Sequence, residues 1–132
     1  MADYRIIHIE DNPVFTDLTQ ILIQEIEGIN IDYIPAHTAN KAYSLLETNV
    51  PDILIADLML ENEYDARSGL AFIKKVKEKY PKLQIMVLTA RGDNSLREEL
   101  EDTVIRYETK TFRPSSFKDL IKDLLTGVDE NE

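Results

Sequence analysis

Glu10, Asp11, Asp57, Thr89 and Lys110 are the residues of this chain whose types could do chemistry together. Three carboxylates brought to one place repel one another unless a cation sits among them, and a set of carboxylate and water oxygens suits Mg²⁺ better than a softer metal. With such an ion bound, one carboxylate oxygen stays free to attack phosphorus. Taken singly, each residue has a plainer role: Glu10, Asp11 and Asn12 as helix caps, Asp57 in a loop, Thr89 in a strand, Lys110 as a solvated charge. The chemistry therefore depends on whether the fold gathers them.

The elements that must do so are legible as short β-branched runs separated by helical patterns. Strands are expected at 4–9 (YRIIHI), 29–34 (INIDYI), 52–56 (DILIA), 84–89 (QIMVLT) and 104–108 (VIRYE). Asn12 and Pro13 form an N-cap and first-turn pair, after which Val14, Leu18, Ile21, Leu22 and Ile26 fall on one helical face and Gly28 closes the helix. A second helix near 38–48 turns Ala42, Leu45 and Leu46 to the core. A third, from about Gly69, turns Leu70, Ile73 and Val76 inward and is stopped by Pro81. Ser95 and Glu98 have capping-box spacing at the head of a short acidic fourth helix, and a fifth carries Phe117, Leu120, Ile121, Leu124 and Leu125 before Gly127. Strict βα alternation predicts a parallel sheet with helices on both faces and right-handed crossovers. "DILIA" and "IMVL", apolar throughout, suit central strands, whereas the mixed "INIDYI" suits one nearer an edge.

In such open sheets ligands bind beyond the carboxyl ends of the strands. The first expected strand ends at Glu10 and Asp11, the third at Asp57, the fourth at Thr89, and the fifth leads to Lys110, so all five residues converge on one edge.

At 132 residues and 43% hydrophobic content the chain has the size of one domain, expected to span 1–132 with a core over about 4–126 and a frayed acidic tail, VDENE. A formal charge of −10 opposes direct binding to nucleic acid or anionic lipid. Cysteine is absent, which excludes disulfides and thiolate metal sites, and the opening MADYRIIHIEDN lacks the features of a signal peptide. No run approaches the ~18 apolar residues of a membrane span. The expected location is the cytoplasm. His8 and His37 lack partners at ligand spacing and are read as a strand residue and a surface residue.

The set Glu10, Asp11, Asp57, Thr89 and Lys110, placed so in a five-fold βα chain, resembles the receiver domain of two-component response regulators over about residues 4 to 126. The resemblance implies a flavodoxin-like doubly wound (βα)5 sandwich whose five parallel strands run in the order 2-1-3-4-5. It makes Asp57 the phosphoryl acceptor, with Asp11 and Asp57 binding Mg²⁺ directly, Glu10 acting mostly through water and the carbonyl of Met59 adding a ligand. It pairs Lys110 with Asp57 at rest and with a phosphoryl oxygen afterwards, and directs the Thr89 hydroxyl to another oxygen. Tyr107 takes the place of the switch aromatic, admitted to the space that Thr89 vacates. Met59 and Arg91 take positions that influence hydrolysis of the aspartyl phosphate. The implied protein is a phosphorylation-controlled switch, not an enzyme in the ordinary sense. Its implied partners are a sensor histidine kinase or phosphotransfer protein and a downstream protein at the face of the fourth helix, fifth strand and fifth helix, where Glu98, Glu99, Glu101 and Asp102 are expected to be exposed.

This chain departs from the pattern twice. Asp57 to Gly69 spans twelve positions, longer than usual, and its segment LENEYDARS lacks a proline; it is read first as a solvated insertion, with Glu61, Glu63 and Arg67 as the alternative candidates to tune access. Thr111 replaces the proline that commonly follows the lysine. A cis bond to a residue other than proline costs about 2.5 to 4 kcal/mol, so Lys110–Thr111 is expected to be trans with the ammonium still reaching Asp57. A phosphatase of the haloacid dehalogenase type is a poor fit, because its nucleophile ends the first strand with another Asp two residues later. A flavodoxin-like carrier is a poor fit too, because EDNP after the first strand repels the phosphate of FMN. The alternative kept open is a receiver-like interaction module that does not use phosphorylation.

Overall fold

The computed structural model describes residues 2–58, 67–90 and 94–127. Its elements alternate: β1 (Tyr4–Ile9), α1 (Pro13–Gln24), β2 (Ile31–Ala36), α2 (Ala39–Thr48), β3 (Ile53–Ala56), α3 (Arg67–Lys79), β4 (Gln84–Thr89), α4 (Asn94–Leu100), β5 (Arg106–Thr109) and α5 (Pro114–Thr126). The strands form one parallel sheet in the order β2-β1-β3-β4-β5, as the resemblance implies.

Side-chain alternation along the central strands divides the core in two. Ile7 and Ile9 of β1, Leu54 and Ala56 of β3, and Ile85 and Val87 of β4 point to the face covered by α2, α3 and α4, where Ala42, Leu46, Ile73 and Leu100 pack. Ile6, Ile53, Ile55, Met86 and Leu88 point the other way, onto Leu22, Ile23, Phe117 and Ile121 of α1 and α5. Both faces are covered, which is why β3 and β4 are apolar at successive positions.

Several boundaries and one helix face differ from expectation. β2 runs to Ala36 through Pro35, opposite His8, because a missing N–H is tolerated on an edge strand. β5 starts at Arg106, since Thr103 and Val104 still donate to the Leu100 carbonyl at the end of α4. α1 ends at Gln24, and Gly28 serves the following turn at φ 87° instead of closing the helix. Ser95 lies inside α4 rather than capping it, because the helix starts at Asn94.

The larger correction concerns α1. Of its expected core face, Leu22 and Ile26 are buried, but Val14, Leu18 and Ile21 are 75%, 47% and 55% exposed, while Thr16 and Thr19 are buried. The Thr16 and Thr19 hydroxyls donate to the carbonyls of Pro13 and Phe15 at 3.0 and 2.8 Å. Satisfied within their own helix, they enter the core at little cost, and the apolar stripe faces solvent.

Candidate functional site

Asp11 and Asp57 stand directly beyond the sheet edge because β1 and β3 are neighbours in register, with Ile9 opposite Ala56. The Asp57 N–H donates to the Ile9 carbonyl at 3.2 Å, which fixes the end of β3 against the acidic turn. That turn is itself held: Asn12 N–H donates to Glu10 Oε2 at 3.0 Å, and the Asn12 side chain caps α1 by accepting from Val14 N–H at 3.0 Å. Glu10, Asp11 and Asp57 each offer a carboxylate oxygen within 4.8 Å of the others. Glu10 is fully buried and Asp57 nearly so, at 3% exposure.

Lys110 reaches this cluster from beyond β5. Its backbone N–H donates to the Thr89 carbonyl at 2.8 Å, tying β5 to the end of β4. Its Nζ lies 3.0 Å from Asp57 Oδ2 and forms a second ion pair with Glu10 Oε1. The Lys110–Thr111 bond is trans, as expected, and the ammonium still reaches Asp57. Burial acts to lower the pKa of the ammonium, but hydrogen bonds to Glu10 and Asp57 outweigh it and hold the pKa above the usual lysine range. Burial, with Asp57 adding to it against the opposing pull of Lys110, pushes Glu10 up to about 8. Desolvation leads the rise at Glu10, while the two acids outweigh it at Lys110. The all-oxygen donor set and its spacing fit Mg²⁺, which adds the positive charge that one lysine does not supply.

Thr89 ends β4 fully buried, and Tyr107 is buried in β5 with the Arg97 guanidinium 5.7 Å from its ring centre. Glu98, Glu99, Glu101 and Asp102 are exposed, as expected. Between α4 and β5 lies a cleft of about 390 Å³ lined by Arg97, Glu98, Glu101, Ile105, Arg106 and Tyr107, so this face carries both charge signs. Met59, Arg91, Glu61 and Glu63, together with the side chain of Arg67, lie outside the described residues.

The sequence reading missed three features. Phe15 places its ring 4.5 Å from Lys110 Nζ, a contact no local pattern announces. Gly69 of α3 abuts the backbone of Asp57 and Leu58, for which the only signal was a glycine within a helical pattern. His8, read as a plain strand residue, is fully buried with Nδ1 2.6 Å from the Tyr33 hydroxyl, which also lies 3.3 Å from the Thr16 carbonyl. His37 is exposed, as expected, with Nε2 3.2 Å from Thr16 Oγ1.

Burial, reinforced by the Lys110 and His37 charges, lowers the pKa of His8 to about 3, so the folded chain keeps it neutral while an unfolded chain protonates it below about 6.5. The unfolded state then binds more protons between those values, and stability falls as pH drops through that window by up to ~1.4 kcal/mol per unit. His8→Leu is expected to flatten this fall between pH 6.5 and 4.5 in urea titrations. Equal slopes in variant and wild type would show that His8 charges within the fold.

Comparison with known proteins decides the family. The sequence model of the response regulator receiver domain matches residues 6–122. The chain belongs to the receiver domain family. The probable C4-dicarboxylate response regulator DctR of Halalkalibacterium halodurans is 26% identical over 130 residues, covering 96% of this chain and 51% of that protein. The virulence transcriptional regulatory protein PhoP of Salmonella typhimurium is 32% identical over 109 residues, covering 82% of this chain and 46% of that protein. The receiver thus spans about half the length of these two curated relatives. Among solved structures, the signal receiver domain of an HD domain-containing protein from Pseudomonas fluorescens superposes with a TM-score of 0.79 at 19% identity, over 94% of this chain and 95% of that one. Receiver domains are phosphorylation-controlled switches, and the Glu10, Asp11 and Asp57 cluster matches the Mg²⁺-binding site of that family. Among the described residues no helix is long and apolar enough to cross a membrane.

Proposed function

We propose that Asp57 accepts a phosphoryl group from a phosphohistidine of a sensor kinase or phosphotransfer protein, and that the resulting charge switches a protein-binding surface. The observation that carries this reading is the meeting of three carboxylates within 4.8 Å of one another, with Lys110 Nζ 3.0 Å from Asp57 Oδ2. A carboxylate oxygen of Asp57 attacks phosphorus, the bond from phosphorus to the imidazole nitrogen breaks, and that nitrogen leaves with the bonding pair. Bound Mg²⁺ supplies neutralisation of the phosphoryl oxygens and of the acids. Asp11 and Asp57 would hold it directly, and Glu10, one oxygen of which already accepts from Asn12 N–H, would act mostly through water. Lys110 exchanges its carboxylate partners for a phosphoryl oxygen, and the Thr89 hydroxyl binds another.

The donor protein docks where α1 leaves the acidic turn, since Val14, Leu18 and Ile21 form an exposed apolar stripe there. Output runs through α4, β5 and α5: as Thr89 moves to the phosphoryl group, Tyr107 shifts and the cleft beside it changes shape, altering affinity for a downstream protein. The chain acts in the cytoplasm and binds no DNA by itself. Engagement of Lys110 with both Glu10 and Asp57 favours this reading over a module that ignores phosphorylation.

Incubation with a small acyl phosphate tests the reading. Intact-mass spectrometry should show one added phosphoryl group with Mg²⁺ present and none with a chelator; modification independent of metal would overturn it. With Mg²⁺ and beryllofluoride as a phosphoryl analogue, the largest amide shifts away from the site should fall on residues 97–107. Shifts confined to the surroundings of Asp57 would remove the switch from the proposal.

A further inference from the structure

Lys110 has to hold a flexible four-carbon stem so that its ammonium lies between two buried carboxylates, and its own backbone does little to aim it. The Lys110–Thr111 bond is an ordinary trans peptide, Thr111 is exposed, and its hydroxyl is engaged with that of Thr109 at 2.8 Å. What lies against the ammonium is the ring of Phe15, its centre 4.5 Å from Nζ. Phe15 sits in the first turn of α1, four residues after Asp11, so the ring and the acidic turn ride on one rigid element. The ring is held in turn: Phe112 packs against it with centres 6.3 Å apart and stacks on Phe117 of α5 at 4.5 Å, while His8 meets it edge-on at 6.0 Å. We infer that Phe15 is a positioning residue for phosphoryl transfer, holding Lys110 over the acceptor by a cation–π contact braced by Phe112 and Phe117. This role rests on the function proposed above.

An aromatic face suits the task for an electrostatic reason. It attracts the ammonium through its quadrupole yet brings no formal charge, so it neither competes for Mg²⁺ nor repels an incoming phosphoryl group as another carboxylate would. It also lets the ammonium pass from Glu10 and Asp57 to a phosphoryl oxygen without losing contact with the ring.

The test compares Phe15→Leu, which keeps apolar bulk, with Phe15→Tyr, which keeps the aromatic face, in the full chain. Phosphorylation by acetyl phosphate at saturating Mg²⁺ should slow about three- to tenfold in Phe15→Leu and stay within about twofold of wild type in Phe15→Tyr, the span expected of a half-buried cation–π contact. Mg²⁺ affinity, followed by amide shifts of the acidic turn, should be alike in all three. In unphosphorylated protein the ε-methylene protons of Lys110 should show an upfield ring-current shift that Phe15→Leu removes and Phe15→Tyr retains. Equal losses of rate in both variants, an unchanged rate in Phe15→Leu, or no ring-current shift in wild type would overturn the inference. Failure of wild type to be phosphorylated at all would instead sink the function proposed above, while the ring-current measurement would still decide whether Phe15 holds Lys110.

Discussion

Asp57→Asn is expected to lower phosphorylation by acyl phosphate at least about a hundredfold, as loss of the nucleophile does, with the fold retained. An amide oxygen is a far weaker nucleophile than a carboxylate, and it gives the metal a neutral ligand in place of an anion. The packing hardly changes, because asparagine has nearly the same shape and Asp57 is 3% exposed in its slot at the end of β3. Lys110 keeps Glu10 as a partner, so its ammonium is not stranded. Glu10 loses the Asp57 charge, which helps to raise its pKa, and should titrate lower in the variant. Intact-mass spectrometry gives the extent of modification, and unfolding in urea verifies the fold. Undiminished modification of Asp57→Asn would place the acceptor elsewhere.

Gly69→Ala should be the most damaging alanine substitution among the described glycines. A Cβ at this position would lie 2.6 Å from the Asp57 carbonyl oxygen and closer still to Leu58 Cα and the Leu58 carbonyl oxygen. All three are backbone atoms, so no rotamer relieves the contact; either α3 moves off the sheet or the end of β3 gives way. The Gly69 N–H donates to the Leu58 carbonyl at 2.9 Å, and that bond is lost in either case. Overpacking of this kind costs about 1 to 3 kcal/mol and more where backbone must shift. Because the displaced strand end carries Asp57, phosphorylation should fall as well, by about tenfold or more, since misplacement of a reacting group by ~1 Å can cost about a hundredfold. Urea unfolding and the rate with acetyl phosphate measure the two effects. Wild-type stability in Gly69→Ala would mean that α3 does not hold this close approach in solution.

Several site features were legible in the sequence because they depend on strand order along the chain alone. A βα unit exposes its chemistry at the carboxyl end of each strand, so the residues that follow five apolar runs are bound to share an edge once the sheet is parallel. Glu10, Asp11, Asp57, Thr89 and Lys110 could be named on that ground, and the Asn12–Pro13 cap and the Gly127 stop are local signals that needed no tertiary knowledge.

The face of α1 was not legible in this way. Its apolar residues outnumber the places on one stripe, so periodicity alone offers two rotations about the helix axis, and a hydrophobic count prefers the one containing Val14, Leu18 and Ile21. The fold takes the other, because Thr16 and Thr19 can satisfy their hydroxyls on carbonyls of the same helix and then lie buried against the sheet. The sequence by itself therefore determined the alternation, the acidic edge and the charge of −10. Tertiary structure decided what no spacing contains: which side of α1 faces solvent, that Gly69 must lack a side chain because α3 crosses the Asp57–Leu58 backbone, and that the ring of Phe15 lies under the Lys110 ammonium. Each depends on the distance between segments far apart in the chain, and that distance is set by how helices pack on the sheet rather than by the preferences of any one segment.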